Sequence, residues 1–143
     1  MTIVSQLLRN KGREVWSVSP DTTIFDALKL MGNMNIGAVI VLDEGEVAGI
    51  FSERDYARKV VLHGKSSRKT AVTEAMTKDV YSVRPDQTLE ACMTLMTDHH
   101  FRHLPVITTE NELVGLISIG DVVKALLAEQ KMVINQLEEY IKS

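Results

Sequence analysis

Residues 17–31, SVSPDTTIFDALKLM, return as residues 82–96, SVRPDQTLEACMTLM. Ser17, Val18, Pro20, Asp21, Thr23, Leu30 and Met31 all recur at an offset of 65. IGAVIV (36–41) falls opposite FRHLPV (101–106) at the same offset, and GIFSERD (49–55) opposite GLISIGD (115–121) at an offset of 66. The second copy has therefore gained one residue, placed in the turn around TTENE (108–112), opposite DEGE (43–46), where insertions are tolerated. A chain written twice builds one unit twice. Two copies are too few for a solenoid, so a pseudo-symmetric pair packed face to face is expected.

Each copy reads in the same order. A short extended segment (EVWSV, DVYSV) meets Pro-Asp, which turns the chain. Thr23 or Thr88 then caps a helix. Ile24, Ala27, Leu28 and Met31 follow at helical spacing, as do Leu89, Cys92, Met93 and Met96. Two β-rich runs joined by a polar stretch read as a hairpin. A second helix closes each copy: ERDYARKVVL, ended by Gly64, and the longer GDVVKALLAEQKMVINQLEEYIKS. The class is α+β, with two β-α-β-β-α repeats at 15–64 and 80–128. Residues 65–79 link them. Residues 1–14 precede them as a short helix docked on the core through Ile3, Val4, Leu7 and Leu8, and 129–143 extend the last helix. Val123, Leu126, Leu127, Ile134, Leu137 and Ile141 keep near-heptad spacing there, which predicts self-association.

Composition narrows the function. The net charge of −3 gives no general attraction for nucleic acid or anionic membrane. No run approaches the roughly 20 apolar residues of a membrane span, and the first residues lack a signal peptide's apolar stretch. A cytoplasmic protein is expected. The single Cys92 lies in an apolar stretch and reads as a buried thiol rather than a nucleophile.

The repeated Ser-x-x-Asp stands where a strand gives way to a helix. By itself this is a capping signature: Ser bonds a free backbone N–H, and the acid sits in the first turn. Yet Ser and Asp persist while the spacer changes from Glu53-Arg54 to Ile119-Gly120. A helix start can also hold an anion, and a carboxylate one turn away can accept from two adjacent hydroxyls. Capping and ligand binding are compatible.

The element order, the Pro-Asp-x-Thr opening, the VLDEGEVAGIFSERD and HLPV segments and the doubled Gly-h-h-Ser-x-x-Asp together resemble a tandem pair of cystathionine-β-synthase (CBS) domains, from about Val15 to about Leu127. The resemblance implies two copies packed through their sheets. It also implies clefts for an adenosine-containing ligand: AMP, ADP, ATP, NAD or S-adenosylmethionine. It places Ser52 and Ser118 near ribose and phosphate, and Asp55 and Asp121 on the ribose hydroxyls. The adenine slot falls on Val15–Ser17 with Ile36–Val39, including Gly37 and Ala38, and on Val80–Ser82 with Phe101–Pro105, including Arg102, His103, Leu104 and Pro105. Core packing accounts for most of these side chains equally well. It further implies a homodimer and a stand-alone regulatory or energy-sensing role toward an unknown partner protein.

Phosphates need positive charge, and Arg54, Arg58, Lys59, Lys65, Arg68 and Lys69 crowd residues 54–69. Either this is a solvated face, or Arg54, Arg58 and Arg68 clamp phosphate with the hydroxyls of Ser66, Ser67 and Thr70. The second motif lacks a local cation, for which Arg102, His100 or His103 could substitute, so unequal sites are expected. HGKSS (63–67) ends like a phosphate-binding P-loop, but Lys59 stands where its first Gly belongs, and a helix precedes it. His99, His100 and His103 have no Cys partner and point to no metal. No nucleophile, base and orienter align, so an enzyme is not expected. The competing function is a ligand-free scaffold for protein assembly.

Overall fold

A computed structural model describes residues 2–12 and 14–142. Met1, Arg13 and Ser143, counted above in the leading and closing segments, lie outside the described residues. The chain forms two compact units. Val15–Val80 make one. The other combines the residues up to Glu14 with the chain from Tyr81 onward.

In the first unit β1 (Ser17–Val18) runs parallel to β2 (Ala38–Asp43), and β2 pairs antiparallel with β3 (Glu46–Ser52). The hairpin turns on Glu44 and Gly45, both left-handed at φ 50° and 84°. A two-residue turn between twisted strands asks for that geometry. Helix α2 (Ile24–Met34) starts on Thr23, whose hydroxyl accepts from the Asp26 N–H at 3.2 Å. Its Ile24, Ala27 and Met31 are buried with Val39, Val41 and Phe51.

The second unit repeats the plan. Helix α4 (Leu89–His99), capped by Thr88, buries Leu89, Cys92 and Met96 with Leu104, Val106 and Ile117 from the β4 (His103–Ile107) and β5 (Leu113–Ser118) hairpin. Cys92 thus occupies the place of Ala27, and burial pushes its thiol up to about 11, far from nucleophile chemistry. The extra residue lies in the β4–β5 connection, where Thr108 N–H donates to the Glu112 carbonyl at 2.9 Å. Both copies are a small sheet with helices, the expected class. Their first strands differ. In the first copy Ile40 N–H donates to the Trp16 carbonyl at 3.2 Å. Pro105 stands at the equivalent position and has no N–H to give, so the partner strand shrinks to a Val83–Val106 bridge.

The closing helices differ more. The run expected as one α-helix is a short turn, α3 (Glu53–Asp55), followed by a π-helix over Tyr56–Val61, with Leu62 N–H reaching the Ala57 carbonyl at 3.2 Å. Periodicity of apolar residues does not separate the two helix types over so short a span. The second closing helix, α5 (Ile119–Lys142), is continuous over 24 residues.

The leading segments are exchanged between copies. Helix α1 (Val4–Lys11) precedes the first copy but packs on the second, burying Val4, Leu7 and Leu8 there. The stretch before the second copy, with a 3-10 turn at Val72–Glu74, packs on the first through Val72, Ala75 and Met76. The backbone bonds correspond pair by pair. Leu89 N–H donates to Thr2 and Val4 N–H to Gln87, at 3.1 and 2.9 Å. Ile24 N–H donates to Thr70 and Val72 N–H to Thr22, at 2.9 and 2.8 Å. These crossings explain the glycine in each motif. A Cβ on Gly49 would stand 2.7 Å from the Thr77 carbonyl oxygen, and one on Gly115 would stand 2.7 Å from Leu8 Cδ2.

Candidate functional site

Each Ser-Asp pair closes a reciprocal cap. In the first copy Asp55 N–H donates to Ser52 Oγ at 3.1 Å, and Ser52 N–H returns to Asp55 Oδ2 at 3.0 Å. In the second, Asp121 N–H donates to Ser118 Oγ at 3.1 Å, and Ser118 N–H to Asp121 Oδ2 at 2.9 Å. The next N–H is also used: Glu53 donates to the Gly37 carbonyl at 3.1 Å, Ile119 to the Arg102 carbonyl at 2.8 Å. Three of the early amide donors at each helix start therefore serve the fold. A phosphate bound here must be met mainly by side chains.

The aspartates carry further partners. Asp55 Oδ1 accepts from the Thr77 hydroxyl and pairs with Lys59 Nζ, both at 3.2 Å. Asp121 Oδ2 pairs with Lys11 Nζ at 2.5 Å, and the same ammonium donates to the Leu116 carbonyl at 2.6 Å. Burial pushes the Asp121 carboxyl up. The Lys11 ammonium and the Ser118 N–H and hydroxyl outweigh it and hold the group below its ordinary 3.8. Lys11 and Thr77 escape the sequence reading, and Lys59 is read there only as one of a basic run, not as the partner of Asp55. Lys11 and Thr77 belong to the exchanged leading segments, so no spacing within a copy reveals them.

The structure places the other candidates as follows. Gly37 and Arg102 are exposed and serve through their carbonyls, while Ala38, Leu104 and Pro105 are buried. His103 is half-buried and lies opposite Ser118 in the strand register. Arg54 is exposed within α3, and Arg58 is exposed on the π-helix. Ser66 is exposed, and the Ser67 carbonyl accepts from Phe25 N–H at 2.9 Å. Arg68 lies 3.9 Å over the Phe25 ring. Thr70 is buried and receives Ile24 N–H. The segment 66–70 thus lies alongside the start of α2. Among the described residues no cluster of His, Cys, Asp and Glu could hold a metal. Tyr81 instead meets His99 and Phe101 edge-on, at 4.4 and 5.3 Å between ring centres. None of the helices among the described residues is long and apolar enough to cross a membrane.

Residues 5–62 and 72–128 match the family model of the CBS domain. Both matches take in a leading segment, or most of one. The chain belongs to the CBS domain family and carries the domain twice. A mitochondrial CBS domain-containing protein of Arabidopsis thaliana, CBSX3, is 38% identical over 151 residues, covering 99% of this chain and 72% of that one. A solved protein with CBS domains from Burkholderia ambifaria is 48% identical, with a TM-score of 0.85, covering 90% of this chain and 96% of the other. The structure of CBSX2 in complex with AMP is 27% identical, with a TM-score of 0.71, covering 91% and 99%.

Proposed function

We propose that this chain is a regulatory module that binds an adenosine-containing nucleotide at its Ser-x-x-Asp helix starts and reports occupancy to a partner protein. The observation that carries the reading is that both Ser-Asp pairs are intact and held in one geometry. A fold that needed only a helix start would be free to vary them. AMP in the CBSX2 complex supports adenine nucleotides as the ligand class, with AMP, ADP, ATP and NAD the candidates to compare. Ser52, Ser118, Asp55 and Asp121 would meet the ribose and phosphate. Ala38, Gly37, His103, Leu104 and Pro105 would border the base. Arg54 and Arg102 would supply charge, with Arg58, Ser66, Ser67, Arg68 and Thr70 as further phosphate candidates. The module works by binding, not catalysis, and the buried Cys92 suits a reducing compartment such as the cytoplasm. Thermal melting against these four ligands tests the reading: one present at a hundred times its dissociation constant should add about 2.7 kcal/mol. The absence of any shift would refute it.

A second reading, a scaffold that assembles without a small ligand, draws on α5. Leu127, Ile134, Leu137 and Ile141 are 54–82% exposed along one stripe of this helix. Leu127, Ile134 and Ile141 keep one heptad position. Self-association belongs to both readings, as a homodimer through this stripe. Light scattering at micromolar concentration should give a dimer for the native chain and a monomer for Ile134→Glu with Leu137→Glu. A native monomer would contradict the assignment.

A further inference from the structure

Resting on the nucleotide-binding reading, we propose that Lys11 is the specificity-determining cation of the Ser118–Asp121 site, and that it makes this site select nucleoside phosphates over uncharged nucleosides. The second motif has Ile119-Gly120 where the first has Glu53-Arg54, so it carries no cation of its own. The leading segment supplies one from 110 residues away. The delivery is firm. Val4, Leu7 and Leu8 anchor α1 in the second unit's core, Ser5 N–H donates to the Pro85 carbonyl at 2.9 Å, and Lys11 is the last residue of the helix, where the free carbonyls favour a positive charge. The first copy follows the same plan with different chemistry: its exchanged segment gives Asp55 the neutral hydroxyl of Thr77. Its ammonium comes from Lys59, four residues along the same stretch.

The position of Lys11 sets a choice of ligand. The Asp121 oxygen it holds is one that ribose hydroxyls would use, and both side chains keep solvent access, at 37% and 27% exposed. A neutral nucleoside must share or displace the ammonium and offers it only uncharged hydroxyl oxygens in exchange. A phosphate lets Lys11 exchange one charge-assisted bond for another while the Leu116 carbonyl keeps a second of its three protons. Lysine at this position therefore opposes adenosine and favours AMP.

The test titrates AMP and adenosine into the full chain by calorimetry, in an Asp55→Ala background so that the second motif reports. Lys11→Met keeps the aliphatic stem, and Lys11→Arg keeps the charge. The AMP-to-adenosine affinity ratio should fall about tenfold or more in Lys11→Met and be largely kept in Lys11→Arg. Circular dichroism confirms that each variant is folded. Binding with an unchanged ratio in Lys11→Met overturns the role of Lys11 and leaves the nucleotide reading standing. Binding of neither ligand to the Asp55→Ala chain, when the native chain binds AMP, removes the second site and Lys11's role with it. Binding of neither ligand to the native chain overturns the role of Lys11, and the nucleotide reading falls with it if ADP, ATP and NAD also leave the melting point unmoved.

Discussion

Leu8→Ala should cost the protein about 2–5 kcal/mol of stability, read as a lower urea midpoint with an unchanged slope. Leu8 is 2% exposed and occupies the space directly over Gly115, where a Cβ would meet its Cδ2 at 2.7 Å. Truncation opens a cavity under a helix that joins the second unit only through tertiary contacts. Gly115→Ala, by contrast, overfills the same space and should cost about 1–3 kcal/mol by itself. The two changes share one volume, so the double variant should lose less than the sum. Additive losses would mean that Leu8 does not rest on Gly115 in solution. The first copy offers a control. The obstacle over Gly49 includes the Thr77 backbone oxygen, which no side-chain truncation removes, so Met76→Ala should rescue Gly49→Ala poorly.

This packing also marks how far the sequence is legible. The 65-residue offset pairs Ile24 with Leu89, Ala27 with Cys92, Val39 with Leu104 and Val41 with Val106, and each of these residues is buried. Apolar side chains at helical and alternating spacing state their own burial. The caps were equally plain, because Thr23, Thr88, Ser52 and Ser118 act on amides three residues away. The exchanged segments were not. Val4, Leu7 and Leu8 correspond to Val72, Ala75 and Met76 at an offset of 68, out of step with the rest, and each set packs on the copy other than the one it leads into. Consequently the two side chains they deliver, Lys11 and Thr77, could not be placed beside the aspartates. The loss of a strand at Pro105 was readable in principle, since proline cannot donate to a ladder. The π-helix after Asp55 had no such signal: no Gly or Pro interrupts YARKVV.

The aspartates give the second large effect. If Asp55 and Asp121 accept ribose hydroxyls, each charge-assisted bond contributes about 1.5–3 kcal/mol. Asp→Ala at an occupied site should then weaken nucleotide binding from about tenfold to more than a hundredfold. Removing a cap alone should cost about 1 kcal/mol of stability and little affinity. Calorimetric titration and a melting curve on each variant separate these roles. Asp55→Ala should hurt binding more, because the basic stretch from Arg54 to Lys69 adjoins it in sequence. Its Oδ1 already holds a hydroxyl, that of Thr77, in the manner a ribose would require. Arg54→Ala should weaken di- and triphosphate ligands more than adenosine, since it removes charge and leaves the Ser52–Asp55 cap in place. The stability readout decides what remains. Should both aspartate variants bind nucleotide normally and yet melt earlier, then Ser52–Asp55 and Ser118–Asp121 hold helices alone, and the repeated motif records how the fold starts its closing helices rather than what it binds.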